Sequence, residues 1–406
     1  MKILQINVRY NYGSTGKITA DIHNGVLKSG WESVVLFGRK DQSTDPCIRR
    51  VCSEFYAKAN NLRSRIDGYM YGGCFFSTNK IIAEIKKENP DVVHLHCING
   101  YFVNIYRLVE WLKRKNIKTV LTLHAEFMYT ANCSHSMECD KWQHGCGNCP
   151  NHKKATKSMF WDRTAQSFEK MRKAFEGFND NLTVVSVSPW LADRAVKSEI
   201  LKDKKHKIIY NGVDTSVFDG VCNKELLQEY KTAGTKIVFH ATAMFTDKEG
   251  HLKGGRYVIE LAERMKDKDV IFLVAGKTEV SCELPSNIVL LGDITDKKLL
   301  AEYYAAADLT LLTSKRETFS MICAESLCCG TPVAGFECGA AEQISLNEYS
   351  GFVEYGNTGA LQTTVENWLD RSVDRMDVIR KAQTAYSKEK MVYEYINTYQ
   401  EMIYEN

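Results

Sequence analysis

The sequence predicts an α/β protein made of two doubly wound parallel sheets, and three observations carry that expectation. Short apolar runs alternate with helical patterns through both halves of the 406 residues, as repeated strand-helix units require. A polar stretch between Asn211 and Lys236 separates the halves. The length, with 44% hydrophobic and 25% charged residues, suits two domains of ordinary size.

Front-half strands are expected at Lys2–Val8, Ser33–Phe37, Val92–Leu95, Thr119–Thr122 and Thr183–Val187, and back-half strands at Lys236–Ala241, Val270–Ala275, Ile288–Leu291, Leu309–Leu312 and Pro332–Ala334. After the first strand, Tyr12 to Ile18 carries Gly13 and Gly16 and opens a helix. Such a turn brings backbone N–H groups close to a phosphate, although it also serves as an ordinary strand-to-helix turn. His94 and His96 alternate in VVHLHC and read as satisfied core histidines, one on each side of the strand. His124 stands at the end of the fourth strand, followed by Ala125 and Glu126.

Cys133, Cys139, Cys146 and Cys149 follow in a turn-rich segment. Four thiolates can close a tetrahedral structural zinc site, with disulfides or free thiols as the other readings; four sulfurs would leave no open position for a catalytic metal. A metal or cross-link would hold a segment that looks poor in core of its own. The helix expected from Tyr386 to Tyr404 carries an aromatic stripe that reads as packing.

The stretch from Glu317 to Val333, ETFSMICAESLCCGTPV, is the most informative. Glu317 lies in the loop after an apolar strand, where open α/β sheets bind ligands, and Glu325 lies on the short helix expected over Ser320–Leu327. Two carboxylates so placed suit a ligand with two vicinal diols, because each accepts hydrogen bonds from both hydroxyls of a pair.

In company with Ala307-Asp308, Ser314, Phe319 and Gly330-Thr331-Pro332-Val333, these glutamates resemble the E-x7-E signature of retaining glycosyltransferases of family 4. The resemblance implies a GT-B fold, two facing Rossmann-like domains with an interdomain cleft. It places the acceptor-side domain at 1–214, with a cysteine-rich insertion at 125–155 and the helix 386–406 returning to it, and the donor domain at 215–385. Similar cysteine-rich insertions occur in one branch of the family. By the same resemblance Glu317, His124 and Lys253 are the catalytic candidates. Donor contacts are expected from Gly13, Gly16, Lys253, Glu317, Thr318, Phe319, Ser320, Met321, Glu325 and Gly339, with Lys253 meeting the departing diphosphate, Glu317 the sugar and Glu325 the ribose. His124 is expected to donate a hydrogen bond near the transferred sugar. Many relatives also carry an arginine just before the lysine, which is missing here; Arg256 is the nearby cation.

The implied activity is transfer of a sugar from a nucleotide-sugar, a UDP-sugar first among them, to a hydroxyl of a glycan or polyprenyl-diphosphate-linked acceptor in surface polysaccharide synthesis. Rival readings are a nucleotide-sugar 2-epimerase, a non-catalytic sugar-nucleotide-binding subunit, and a zinc-bearing nucleic-acid binder; the last leaves the back-half motifs unexplained, so no nucleic-acid partner is expected. No catalytic metal is expected. The amino end enters a strand pattern without a signal-peptide pattern, and no run reaches the ~18 apolar residues of a membrane span, so a cytoplasmic location is expected. Residues 1–214 hold 33 Lys and Arg against 21 Asp and Glu, while the remainder holds 20 against 29. The basic front half suits peripheral contact with the inner membrane face.

Overall fold

The computed structural model describes residues 1–40, 42–223, 225–230 and 234–404. Contacts divide the chain into two compact units, one of residues 1–210 with the chain from Met391 onward, the other from Asn211 to Lys390. The polar stretch before Lys236, where a helix is expected, falls partly outside the described residues; residues 225–230 form turns.

In the first unit β1 (Lys2–Asn7), β2 (Glu32–Phe37), β3 (Ile48–Arg50), β4 (Val92–Leu95), β5 (Thr119–Leu123), β6 (Leu182–Ser186) and β7 (Lys205–Ile208) form one sheet. Its order is β3-β2-β1-β4-β5-β6-β7, parallel throughout. The central strands are buried almost along their whole length because helices cover both faces. The order reverses between β1 and β4, and at such a switch point the loops leaving neighbouring strands part and open a crevice.

Helix Gly13–Lys28 covers one face, with Ile18, Ile22 and Val26 in a core shared with Ile3, Val92, Val120 and Val185. The last helix, Lys388–Tyr404, adds Met391, Tyr395 and Tyr399 to this core. Its approach is close: a Cβ at Gly25 would lie 2.1 Å from Val392 Cγ1. The aromatic stripe packs as expected, and it also makes hydrogen bonds the sequence did not suggest. Tyr399 Oη lies 2.7 Å from His94 Nδ1, and Tyr395 Oη lies 3.0 Å from Thr122 Oγ1.

In the second unit β8 (Lys236–Thr246), β9 (Val270–Glu279), β10 (Ile288–Gly292), β11 (Leu309–Leu312), β12 (Val333–Phe336) and β13 (Ser350–Val353) form a parallel sheet of order β10-β9-β8-β11-β12-β13. Here the order reverses between β8 and β11. The core gathers Val238, Phe272, Leu309, Leu311 and Phe336 with Val258, Leu261, Val365 and Trp368 from the covering helices.

The expected strands form, and three more join them: β3, β7 and β13. All three are edge strands, which a parallel sheet buries least, and the sequence KHKI of β7 reads as polar. Among the described residues no helix is long and apolar enough to cross a membrane.

Candidate active site

The motif residues of the second unit assemble at its switch point. β8 leads to Lys253 and β11 to Glu317, and the two loops are stitched by Lys315 N–H donating to Leu252 O at 2.8 Å and Thr313 Oγ1 donating to Lys253 O at 3.0 Å. Gly254, the cap of helix Gly255–Arg264, has φ +64°, and a Cβ there would sit 2.1 Å from the carbonyl oxygen of Thr313. Glycine is therefore required for the loops to touch. The result is an ion pair, Lys253 Nζ to Glu317 Oε1 at 2.7 Å, with the lysine side chain 31% and the glutamate 15% exposed.

Glu317 is fixed on its other side. Its N–H donates to Cys338 O and its carbonyl accepts from Ala340 N–H, an isolated bridge to the turn at Gly339. The Glu342 carboxylate in turn accepts from the N–H groups of Cys338 and Gly339, at 3.0 and 2.9 Å. Glu342 thus shapes the turn on which Gly339 sits.

Ser320 caps helix Met321–Cys328 at φ +84°, its hydroxyl accepting from Cys323 N–H. A non-glycine residue held there is strained, a condition that clusters at ligand sites. Thr318 and Met321 are half-buried beside it, whereas Phe319 is buried with its ring edge-on to Tyr386. Glu325 is 8% exposed, with Lys297 Nζ 3.7 Å away.

Two residues near this cluster escaped the sequence reading. Lys297 opens a separate helix and carries no motif. His240, on β8, donates from Nδ1 to Leu311 O at 2.9 Å, and its buried Nε2 has no hydrogen-bond partner among the described residues. Burial, opposed by that hydrogen bond and aided by the charge of Lys253, pushes its pKa down to about 4. Arg256 is paired with Glu249 at 2.9 Å and stacks on Tyr257.

In the first unit the glycine turn and the histidines are joined by a buried polar network. Asn7 Nδ2 donates to Arg9 O, Thr15 O and Thr19 Oγ1, fixing the loop that carries Gly13 and Gly16. Gly16 faces Asn11 N, 3.3 Å from where its Cβ would lie. Gln5 Nε2 donates to Thr19 O at 3.3 Å, which turns Gln5 Oε1 toward His96 Nε2 at 3.0 Å. His96 must then donate from Nε2, so its Nδ1 accepts from His124 Nε2 at 3.3 Å.

The chain of bonds fixes His124 as the Nε2–H tautomer and leaves Nδ1 the accepting nitrogen. Burial keeps all three histidines neutral: His94 and His96 lie well below the usual histidine range, and His124 is pushed down to about 4. The expectation of His94 and His96 on opposite sides of β4 fails, because residues two apart on a strand share a face. Their ring centroids are 3.8 Å apart.

Glu126 is fully buried and its carboxylate accepts from Ser136 N–H at 3.2 Å, Ser136 Oγ and Arg194 Nη2 at 3.1 Å. Arg194 stacks over Trp142 and Trp190. The cysteine-rich segment is therefore anchored by a buried ion pair and a buried Trp142, which packs on Tyr129. This is the core that the sequence did not reveal. Within the insertion Cys133 and Cys146 are pushed up to about 12, first by burial. Cys146 lies within electrostatic reach of Cys133, Cys139 and Cys149; among the described residues no three His, Cys, Asp or Glu side chains are arranged to hold a metal ion.

Comparison with known proteins matches two families, Glycosyltransferase Family 4 over residues 17–217 and Glycosyl transferases group 1 over residues 236–371. The Escherichia coli K12 chain carrying the name colanic acid biosynthesis glycosyl transferase WcaC is 23% identical over 99% of this chain and all of its own. The N-acetyl-alpha-D-glucosaminyl L-malate synthase of Bacillus anthracis is 23% identical over 45% of this chain and 55% of its own. Among solved structures, sucrose-phosphate synthase from Thermosynechococcus elongatus superposes with TM-score 0.69 at 14% identity over 100% of both chains. Anabaena HepE, solved in complex with UDP, superposes with TM-score 0.64 at 13% identity over 98% of this chain and 100% of its own. With two parallel Rossmann-like sheets, a family 4 domain followed by a group 1 domain, and a full-length glycosyl transferase relative, the chain is a glycosyltransferase of GT-B fold.

Proposed function

We propose that this protein is a retaining glycosyltransferase that moves a sugar from a nucleotide diphosphate, a UDP-sugar, to a hydroxyl of a glycan or lipid-linked oligosaccharide in surface polysaccharide synthesis. The observation that carries the reading is the Lys253–Glu317 pair at the carboxyl end of β11, with Glu325 on the helix that follows. A lysine and a carboxylate held 2.7 Å apart present a cation for a diphosphate and an acceptor for sugar hydroxyls at one place. The UDP in the HepE structure and the polysaccharide role in the name of the E. coli relative support the nucleotide and the pathway class.

The second unit binds the donor, Glu325 taking the ribose diol and Glu317 the sugar hydroxyls. Lys253 turns from Glu317 to the diphosphate and stabilises the charge that grows as the anomeric C–O bond breaks, the effect most needed by a transfer without metal assistance. The acceptor hydroxyl attacks from the face the diphosphate leaves, and a phosphate oxygen takes its proton. His124, held by His96, and the Gly13–Gly16 loop serve the first unit's side of the reaction. The reading is tested by Glu317→Gln. Transfer from a UDP-sugar should fall at least ~100-fold with the melting temperature unchanged within a few degrees; undiminished turnover removes Glu317 from the mechanism.

A further inference from the structure

Helix Glu54–Asp67 lies on the first unit the opposite way round from a core helix. Its buried residues are Ala57 and Ser64, both small. At ~100° per residue, Phe55, Leu62 and Ile66 fall within roughly 40° of one another on the far side. All three are exposed, Phe55 by 84%. An apolar stripe turned outward is the pattern of a helix that partners something else.

The stripe does not stand alone. Phe76, 78% exposed at the start of helix Phe75–Glu88, meets Tyr56 with ring centroids 5.9 Å apart and donates its N–H to Tyr56 Oη. At the other end of the helix, Met159 N–H donates to Arg65 O at 2.7 Å, and this brings in Phe160 and Trp161, 65% and 61% exposed. Large exposed apolar side chains from two further segments thus border the helix near its two ends.

Its charge is basic on balance. Lys58, Arg63 and Arg65 flank the stripe and Lys153, Lys154, Lys157 and Arg163 flank the Met159–Trp161 segment. The acids nearby are engaged: Glu54 with Arg39, Asp67 with Arg63, and Asp162 with Cys149 N–H and the Thr164 hydroxyl. Helix Phe75–Glu88 carries the basic character further, into a groove of about 370 Å³ whose lining includes Lys86, Arg107, Trp111 and Arg114 and no acid.

We propose that this face lies on an anionic lipid bilayer, with helix Glu54–Asp67 in the plane of the interface. Phe55, Leu62, Ile66, Phe76 and Trp161 enter the acyl boundary, the flanking lysines and arginines meet phosphate head groups, and the Lys86–Arg107–Arg114 groove holds one such head group. The charge decides between occupants, because a second copy of the same face would bring like charges together. Sugar-nucleotide turnover is not part of the argument, so docking and the catalytic reading fail separately.

The test is co-sedimentation of the whole protein, without donor, with vesicles of phosphatidylcholine alone or with 30% phosphatidylglycerol. The protein should partition at least ~10-fold more strongly onto the anionic vesicles, an advantage lost in high salt. Phe55→Ser/Leu62→Ser/Ile66→Ser, all at exposed positions, should lower that partition at least ~10-fold with an unchanged melting temperature. Equal partition of the triple variant and the parent, or no preference for anionic vesicles, overturns the proposal. So does a lipid-free dimer that the triple variant converts to monomer, which would assign the face to a second copy. Lys86→Glu/Arg107→Glu leaving the anionic preference intact would remove the groove from it.

Discussion

Histidine chemistry separates what a residue type suggests from what its neighbours impose. His94, His96 and His124 sit among Gln5, Thr122, Tyr395 and Tyr399, all neutral at physiological pH, and His96 Nδ1 lies 3.3 Å from His124 Nε2. Each folded-state pKa is below the unfolded value, His124 at about 4. Below pH ~6.5 the unfolded chain takes up protons that the folded one refuses, so stability is complete above that pH and falls as pH drops toward 4. For His124 alone the full loss is on the order of 3 kcal/mol. Denaturant titrations should show the first unit losing stability between pH 6.5 and 4.5, with a shallower slope in His124→Gln; an equal slope in the variant contradicts the assignment. The same cluster marks a limit of sequence reading. The motif picked out His124, but the Gln5–His96–His124 relay joins positions up to 119 residues apart that only strand order makes adjacent.

Among the elements, the cysteine-rich segment carries the sharpest open chemistry. Its composition reads as coreless, yet Trp142, Tyr129 and the Glu126–Arg194 pair give it a core. None of that was legible, because Arg194 lies 68 residues beyond Glu126 and nothing in the spacing links them. If the four thiols hold zinc, the purified protein should contain about one equivalent, and Cys146→Ser/Cys149→Ser should lose it together with several degrees of melting temperature. Zinc-free parent protein of unchanged stability would leave the buried thiols as packing alone. The edge strands were equally hidden, β7 by its lysines and β3 by its three-residue length. The buried strands β4 and β11 matched the expected ends.

Across the whole molecule, two sheets of the same winding put their loops to use at the same topological point. In the second unit the reversal between β8 and β11 brings Lys253 to Glu317 across 64 residues; in the first, the reversal between β1 and β4 sets the Gly13–Gly16 loop beside the histidine relay. The Lys253–Glu317 cluster was legible because Glu317, Glu325, Lys253-Gly254 and Gly330-Thr331-Pro332 stand out by their local spacing. The outward stripe on helix Glu54–Asp67 was present in the sequence too, but an apolar helical period does not say which way it faces. The central claim is a nucleotide-sugar site built on Lys253, Glu317 and Glu325. Calorimetric titration with UDP tests it most directly. The parent should bind with a micromolar Kd, and Lys253→Ala and Glu325→Ala should each weaken binding by ~10-fold or more, about 1.4 kcal/mol. Absence of binding by UDP, or equal affinity in the parent and both variants, would contradict the account.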